Sequence, residues 1–249
     1  MNAYNGIYLV GNYPDRDTFV KAALKGLELF DFLEVGIPFS DPVADGPVIV
    51  DAAFKALENG ETMDSILSSV DAIREQMPSG KKIYFMNYAN TAHAPGYSKF
   101  CKKCKDHSVA GMIVPDIPFL ESADLKKTAT EAGLDYINFI TPESTFEQIE
   151  EVVTGSTGFI YAISMRGITG QDLHFDDATI EKIRHARTKS DVPVVIGFGI
   201  RDAAGAKSAL KIADGFIMGT EPVMRLGKSF NEFSNFIDEL SSQLKTVSI

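Results

Sequence analysis

Residues 32–47 read FLEVGIPFSDPVADGP, and this stretch shows the strand-and-loop pattern from which the fold can be predicted. It begins as a continuous apolar run, as expected for a strand that is covered on both faces, and it continues into a loop rich in proline and aspartate. Short apolar runs of the same kind recur along the chain, with amphipathic helical stretches between them. We predict eight strands, at residues 7–10, 32–35, 83–86, 112–114, 136–140, 159–163, 194–196 and 215–218.

Helix-capping residues and chain length predict how these strands are arranged. Asp15, Thr62, Ser122 and Ser144 each precede a helical pattern. No Gly/Ser-rich linker or composition shift divides the chain, so we expect residues 1–249 to form a single domain. Eight βα units in about 250 residues predict an α/β fold of the (β/α)8 TIM barrel type. Counting strands leaves a doubly wound open sheet as the alternative.

Composition excludes several classes of partner. The 249 residues carry a formal net charge of -10, with 45% hydrophobic and 23% charged residues. This balance argues against a nucleic-acid-binding or anionic-membrane-binding surface. The first residues lack the pattern of a signal peptide, and no apolar run approaches the ~18 residues of a membrane span. We therefore expect a cytoplasmic enzyme with no nucleic acid and no membrane among its partners.

Two carboxylates stand out near the second predicted strand. Glu34 lies inside the apolar run and Asp45 lies in the following loop, so both can face the barrel mouth, where active sites of this fold lie. The predicted strands contain almost no basic residues. A buried Glu34 without a cationic partner has a raised pKa, which suits proton transfer near neutral pH. The alternatives are a structural ion pair for Glu34 and simple turn formation for Asp41 and Asp45.

Glycine-bearing loops toward the C-terminus predict a phosphate site. The loops read SMRGITG (164–170), GFGIRD (197–202) and GFIMGTEP (215–222). Loops after strands seven and eight of this barrel commonly bind phosphate through backbone N–H groups. Gly199 and Gly219 begin two of these loops, although glycines there also serve as plain turn residues. Glu221 counts against the site, because its carboxylate would repel an anion if it pointed inward.

The two cysteines form a weaker signal. Cys101 and Cys104 lie in CKKCKDH with His107 three residues further on. One helical face could then carry a redox pair or half of a zinc site. The chain has no second ligand pair, and the stretch is a Lys-rich amphipathic helix. We interpret the cysteines as incidental thiols.

The motifs together resemble those of one family. LEVGIPFSDPVADGP looks like the signature of the tryptophan synthase alpha chain, and YLVGNYPD, NYAN, VPDIP, TPEST, GITG, GFGI and ADGFIMGT follow the family's order over the whole chain. The resemblance implies a (β/α)8 barrel that cleaves indole-3-glycerol phosphate to indole and glyceraldehyde 3-phosphate. This retro-aldol reaction needs no metal or organic cofactor. The implied partner is a pyridoxal-phosphate-dependent beta chain, typically in an α2β2 assembly.

The resemblance also implies roles for individual residues. Glu34 matches the general acid/base that moves protons at indole C3 and the glycerol hydroxyl. Asp45 matches the carboxylate that accepts the indole N–H and stabilises positive charge on the ring. Three tyrosines match residues around the indole, although each could equally be packing: Tyr8, Tyr88 and Tyr161.

Further matches fall on the phosphate loops and the partner surface. Thr169 corresponds to a threonine of a mobile loop, and Asp41 lies in the loop that faces the beta chain. The phosphate-holding positions are Gly170, Phe198, Gly199, Gly219 and Thr220. Two residues depart from the family pattern. Arg166 stands where many relatives have a small residue, so it either contacts phosphate or is solvated, and Glu221 replaces a small apolar residue.

Alternative functions remain open from the sequence. One is a lyase that works without a beta chain. A second is a mainly regulatory subunit, which has no need of a buried, unpaired Glu34. A third is another phosphate-handling barrel, such as an isomerase of the same biosynthetic route, which the carboxylate loop fits poorly.

Overall fold

A computed structural model describes residues 3–163, 176–197 and 199–245. Its eight strands are all parallel and form a closed barrel in chain order, with β8 paired back onto β1. Closure excludes the open sheet, and the predicted (β/α)8 barrel is confirmed. The strands are β1 (Gly6–Val10), β2 (Phe32–Gly36), β3 (Lys82–Met86), β4 (Gly111–Ile113), β5 (Asp135–Ile140), β6 (Ile160–Ala162), β7 (Val194–Ile196) and β8 (Gly215–Met218).

Helices surround the barrel and connect its strands. Among the residues that the structure describes, most βα units have one α-helix, whereas two helices follow each of β2, β3 and β8. Within the described ranges, no helix has both the length and the apolar character to cross a membrane. The helices are α1 (Arg16–Leu27), α2 (Pro47–Glu58), α3 (Met63–Arg74), α4 (Ala89–His93), α5 (Tyr97–Asp106), α6 (Ala123–Glu131), α7 (Phe146–Thr154), α8 (Asp177–Lys189), α9 (Ala203–Leu210), α10 (Thr220–Lys228) and α11 (Phe230–Lys245).

Alternation along each strand divides the core into two layers. In β1, Ile7 and Leu9 pack outward against the helices, while Tyr8 and Val10 point into the barrel. Both layers are buried, which is why the strands read as continuous apolar runs rather than as alternating ones. The single-domain prediction for residues 1–249 stays a prediction.

Three of the four predicted caps stand at the N-cap position, two of them with a cap hydrogen bond, and the fourth is corrected. Asp15 accepts from the Thr18 N–H at 2.9 Å, and Thr62 forms a capping box with Ser65. Ser144 is not a cap, because the cap of α7 is the next residue, Thr145, whose hydroxyl accepts from a backbone N–H of the first turn. Ser122 occupies the cap position of α6 but makes no cap bond, since its hydroxyl donates to the Phe119 carbonyl at 2.7 Å.

Aromatic rings close the barrel at the N-terminal end of its strands. The ring centroids of Phe32 and Phe159 are 5.0 Å apart, and the Tyr84 ring lies edge-on at 5.2 Å from Phe159. Tyr4, which precedes β1, stacks on Phe32 with 4.8 Å between the ring centroids. We call these four residues the aromatic floor. Phe32, Tyr84 and Phe159 have no exposed surface, so their rings fill the barrel interior at this end.

Candidate active site

A cavity of about 210 Å³ opens at the C-terminal ends of the strands. The first two strands contribute the side chains of Tyr8 and Glu34, and the loop after β2 contributes Asp45. The structure thus brings together residues that are far apart in sequence. The predicted site residues that line this cavity are Tyr8, Glu34, Asp45, Tyr161, Gly199, Gly219 and Thr220.

Glu34 is the most perturbed acid of the cavity. It lies in mid-β2, pairs in register with Tyr8 of β1, and is only 2% exposed. Its Oε2 finds no hydrogen-bond partner among the described residues. Burial, with a smaller contribution from the charge of Asp45, raises the pKa of Glu34 to about 8. The carboxyl is therefore protonated at neutral pH and can act as an acid.

The raised pKa of Glu34 makes stability depend on pH in a defined direction. The ordinary value is 4.5 and the folded value about 8. Below the ordinary value both states hold the proton, and between the two values only the folded state does. We expect the unfolding free energy of wild type, relative to Glu34→Gln, to fall by about 1.4 kcal/mol per pH unit across that window and then to level off.

Urea unfolding of both proteins at a series of pH values measures this difference. Glu34→Gln is the matched reference because its amide has the same shape and does not ionise. A difference that stays constant between about pH 5 and pH 8 would show that Glu34 titrates normally in the folded protein.

Asp45 is held by a tyrosine from the neighbouring βα unit. The Tyr88 hydroxyl donates to Asp45 Oδ2 at 2.8 Å and accepts from the Ala44 N–H at 3.0 Å. Asp45 is 9% exposed. Burial raises the pKa of Asp45, and the Tyr88 hydrogen bond opposes that rise. Tyr88 also stacks on Phe39 at 5.1 Å between ring centroids, which fixes its orientation.

Tyr88→Phe tests this contact without any assay of activity. The substitution removes the hydrogen bond that favours the ionised form of Asp45, so we expect the pKa of Asp45 to rise. Carboxyl ¹³C NMR over a pH series gives the midpoint. Tyr97→Phe, on α5, is the control and should leave the midpoint unchanged. An Asp45 midpoint equal in wild type and Tyr88→Phe would contradict the assigned contact.

Two glycines at strand ends make room for the cavity tyrosines. Tyr161 lies against Gly197, just after β7, and its hydroxyl donates to the Gly197 carbonyl at 3.3 Å. Tyr8 lies across Gly36 at the end of β2 in the same way. A Cβ at either glycine would overlap the tyrosine ring. The two tyrosine rings therefore occupy space that is open only because Gly36 and Gly197 have no side chain.

Gly197→Ala should be destabilising for this reason. The added methyl meets the Tyr161 ring, and overpacking of this kind lowers the unfolding free energy by about 1–3 kcal/mol. Gly205→Ala in α9 is the matched control, since its nearest contact would be an ordinary 3.5 Å and alanine favours helix. Urea unfolding compares the two variants. Equal stability of Gly197→Ala and wild type would mean that Tyr161 is not confined.

The loops after β7 and β8 line another part of the same cavity. Gly199 has a φ of 75°, a left-handed conformation that glycine adopts without strain. Gly219 caps α10, and Thr220 is its first residue, so backbone N–H groups of this first turn face the cavity end. Four candidates, Arg166, Thr169, Gly170 and Phe198, lie outside the described residues.

The carboxylate of Glu221 does not enter the cavity. It forms an ion pair with Arg225, with 2.6 Å between Oε1 and Nε, one turn along α10. Both residues line a separate small pocket beside α11. The repulsion that the sequence suggests is therefore removed by pairing at the i,i+4 spacing.

Comparison with known proteins assigns the chain. The family description "Tryptophan synthase alpha chain" matches residues 7–248. The chain belongs to the tryptophan synthase alpha chain family. It is 35% identical over 240 residues to a tryptophan synthase alpha chain from Dehalococcoides mccartyi, covering 95% of this chain and 93% of that relative.

Solved structures agree with this assignment. Mycobacterium tuberculosis tryptophan synthase superposes with a TM-score of 0.87 at 32% identity, covering 98% of this chain and 93% of that chain. The tryptophan synthase α2β2 complex from the hyperthermophile Pyrococcus furiosus gives 0.86 at 26% identity, covering 99% of this chain and all of that one. The resemblance read from the motifs is confirmed, and this alpha-chain family member is an enzyme subunit.

Several cavity residues of this alpha-chain family member escape sequence reasoning. Met86, Ile113 and Ile217 point inward from their strands, but nothing distinguishes them in sequence from outward-pointing neighbours. Ile49 comes from α2, a helix that the sequence analysis does not assign. The loop after β5 and the turn before α9 add Thr141, Pro142, Glu143 and Arg201.

The cysteines of this alpha-chain family member pack in the outer core layer. Cys101 and Cys104 are fully buried on α5, and burial raises their pKa values to about 11 and about 12. His107 instead contacts the Asp71 carboxylate, with 2.9 Å between Nδ1 and Oδ2. In the part of the chain that the structure describes, no cluster of three or more His, Cys, Asp or Glu could hold a metal ion. The structure favours the interpretation as incidental thiols.

Proposed function

We propose that this alpha-chain family member is a carbon–carbon lyase that cleaves indole-3-glycerol phosphate to indole and glyceraldehyde 3-phosphate. The observation that carries the proposal is Glu34. Its buried carboxyl, with Oε2 unpartnered among the described residues and a pKa raised to about 8, shares a cavity with Asp45. Such a group suits transfer of a proton to and from substrate near neutral pH.

The proton balance of the reaction needs one acid that becomes a base. Glu34 donates its proton to indole C3, which leaves a positive charge on the ring. The Glu34 carboxylate then takes the proton of the hydroxyl on the carbon attached to C3. The C3–carbon bond breaks, its electron pair returns to the ring, and the hydroxyl carbon becomes the aldehyde. Glu34 ends protonated, so the proposed cycle needs no metal or organic cofactor.

Asp45 has the complementary role. Its carboxylate accepts the indole N–H, so its negative charge stabilises the ring when C3 is protonated. Tyr88 holds this carboxylate from outside the cavity, at 2.8 Å between Oη and Oδ2. Two acidic residues with different environments thus take different roles, Glu34 as the protonated acid and Asp45 as the ionised carboxylate. Tyr8 and Tyr161 supply the walls of the indole site.

The phosphate group fits the part of the cavity that the loops after β7 and β8 line. Gly199, Gly219 and Thr220 lie there, and the first turn of α10 favours an anion. By resemblance, Gly170 and Phe198 add further main-chain contacts, and Thr169 belongs to a loop that closes over the substrate.

We propose a tryptophan synthase beta chain as the partner, in an α2β2 assembly. The relative from Pyrococcus furiosus is described as an α2β2 complex with mutual activation. The loop that carries Asp41 also exposes Val43 to 71%, and the loop after β4 exposes Leu120 to 81%. Both loops follow strand ends and thus share the face on which the cavity opens. Exposed apolar side chains there suit a docking surface. The cytoplasmic location stays a prediction.

The test is indole release from indole-3-glycerol phosphate by the purified chain, alone and with its cognate beta chain. We expect slow release alone and a strong increase with the partner. Fast release without a beta chain would indicate a lyase that works alone. Absence of release in both mixtures would contradict the proposal and leave a regulatory subunit.

A further inference from the structure

We propose that Arg201 binds the substrate's phosphate dianion and so sets the preference for a phosphorylated substrate. This inference rests on the proposed function and adds to it a side-chain cation at a site otherwise formed by main-chain groups. Arg201 lies between Gly199 and the start of α9, and it lines both the active-site cavity and the small pocket beside α11.

The charge of the cavity is the first argument. Its described lining residues include the carboxylates of Asp45 and Glu143 and the protonated carboxyl of Glu34, and Arg201 is the one cation among those described residues. A dianion entering this acidic cavity, in a chain of net charge -10, meets repulsion that uncharged N–H donors offset only in part. A guanidinium at the phosphate side supplies the missing positive charge.

The position of Arg201 is the second argument. It shares the cavity lining with Gly199, Gly219 and Thr220, the residues that define the phosphate side. The guanidinium presents paired N–H donors in a planar fork that matches two phosphate oxygens. Arg201 is exposed at the rim, so it can meet the ligand as it enters.

Two carboxylates near Arg201, those of Glu221 and Asp202, make contacts of their own. Glu221 is paired with Arg225 at 2.6 Å, and Arg225 also reaches Glu232 at 3.6 Å. Asp202 caps α9, accepting from the Gly205 N–H at 2.8 Å. Glu221 and Asp202 thus each have a local partner.

Calorimetry with two small probes tests the proposal in the 249-residue chain. Inorganic phosphate probes the anion side and indole probes the apolar side. We expect Arg201→Ala to weaken phosphate binding about ten-fold and to leave indole binding unchanged. Arg201→Lys keeps the charge but not the planar fork of donors, so its affinity for phosphate should lie between those of wild type and Arg201→Ala. Lys207→Ala, which removes a cation from α9 outside the cavity lining, is the matched control.

Kinetics supplies the specificity readout. Arg201→Ala should raise KM for indole-3-glycerol phosphate about ten-fold with kcat changed much less, and should leave the unphosphorylated indole glycerol unaffected. Equal phosphate affinity in wild type and Arg201→Ala would overturn the inference, as would an equal loss of indole affinity, which marks a structural role. If wild type binds phosphate through Arg201 but releases no indole, the proposed reaction fails while this inference stands.

Discussion

Glu34→Gln should lower indole release by about a thousand-fold, the middle of the range for loss of a general acid–base. The amide keeps the shape of the side chain but has no proton to donate to indole C3, and it does not take one from the hydroxyl. Because both protons pass through the same group, no other described residue of the cavity replaces it in the proposed cycle. Single-turnover measurement of indole separates this chemical step from product release.

The fold of Glu34→Gln should be intact. Removing an ionisable group from the barrel interior relieves desolvation, so the variant should be at least as stable as wild type at about pH 8. Glu58→Gln at the end of α2 is the control, with a change of the same kind outside the cavity. Turnover by Glu34→Gln within ten-fold of wild type, with its fold preserved, would remove Glu34 from the mechanism.

Asp45→Asn should lower turnover by about a hundred-fold or more, the range for loss of one preorganised electrostatic contact. Asparagine still presents an oxygen to Tyr88, so the loop keeps its 2.8 Å anchor while the negative charge that stabilises the protonated indole is lost. The charge of Asp45 also contributes to the raised pKa of Glu34. The pKa of Glu34 should therefore fall in Asp45→Asn.

The expected fall of the Glu34 pKa in Asp45→Asn separates a catalytic from a structural role for Asp45. A folded Asp45→Asn protein with a lowered Glu34 midpoint and severely reduced turnover supports the proposed role. An unfolded Asp45→Asn protein, with Tyr97→Phe stable under the same conditions, would show that Asp45 mainly holds the loop. Normal turnover in a folded variant would remove the carboxylate from the reaction.

The barrel was predictable because its strands are buried on both faces. Every predicted run overlaps an observed strand, and 194–196 and 215–218 coincide with β7 and β8. The same property hides which residues reach the cavity. Met86 and Phe85 are both apolar and buried, and only the pleat decides that Met86 lines the cavity while Phe85 packs in the outer layer.

The carboxylates were predictable for the opposite reason. A charge within an apolar run is conspicuous, so Glu34 could be singled out before its surroundings were known. The bond between Tyr88 and Asp45 could not, because it joins residues 43 positions apart whose meeting depends on barrel closure. Gly197 shows the same limit, since its need for glycine appears only once the Tyr161 ring lies against it.

Local signals failed where neighbouring residues could serve equally well. Ser144 and Thr145 are both good caps, and the choice of Thr145 follows from its reciprocal bonds with Gln148. Helix α2 went unassigned although Pro47 stands at its first turn, a favourable start. The pairing of Glu221 with Arg225 depends on α10, which supplies the i,i+4 geometry.

Titration of Glu34 tests the proposed mechanism most directly. Glutamate labelled at the side-chain carboxyl carbon gives one ¹³C resonance per residue, and the resonance absent from Glu34→Gln identifies Glu34. We predict a midpoint at about pH 8 in the wild-type chain. A midpoint near the ordinary value of 4.5 would mean that Glu34 is ionised at neutral pH, and it would contradict its role as the acid that protonates indole C3.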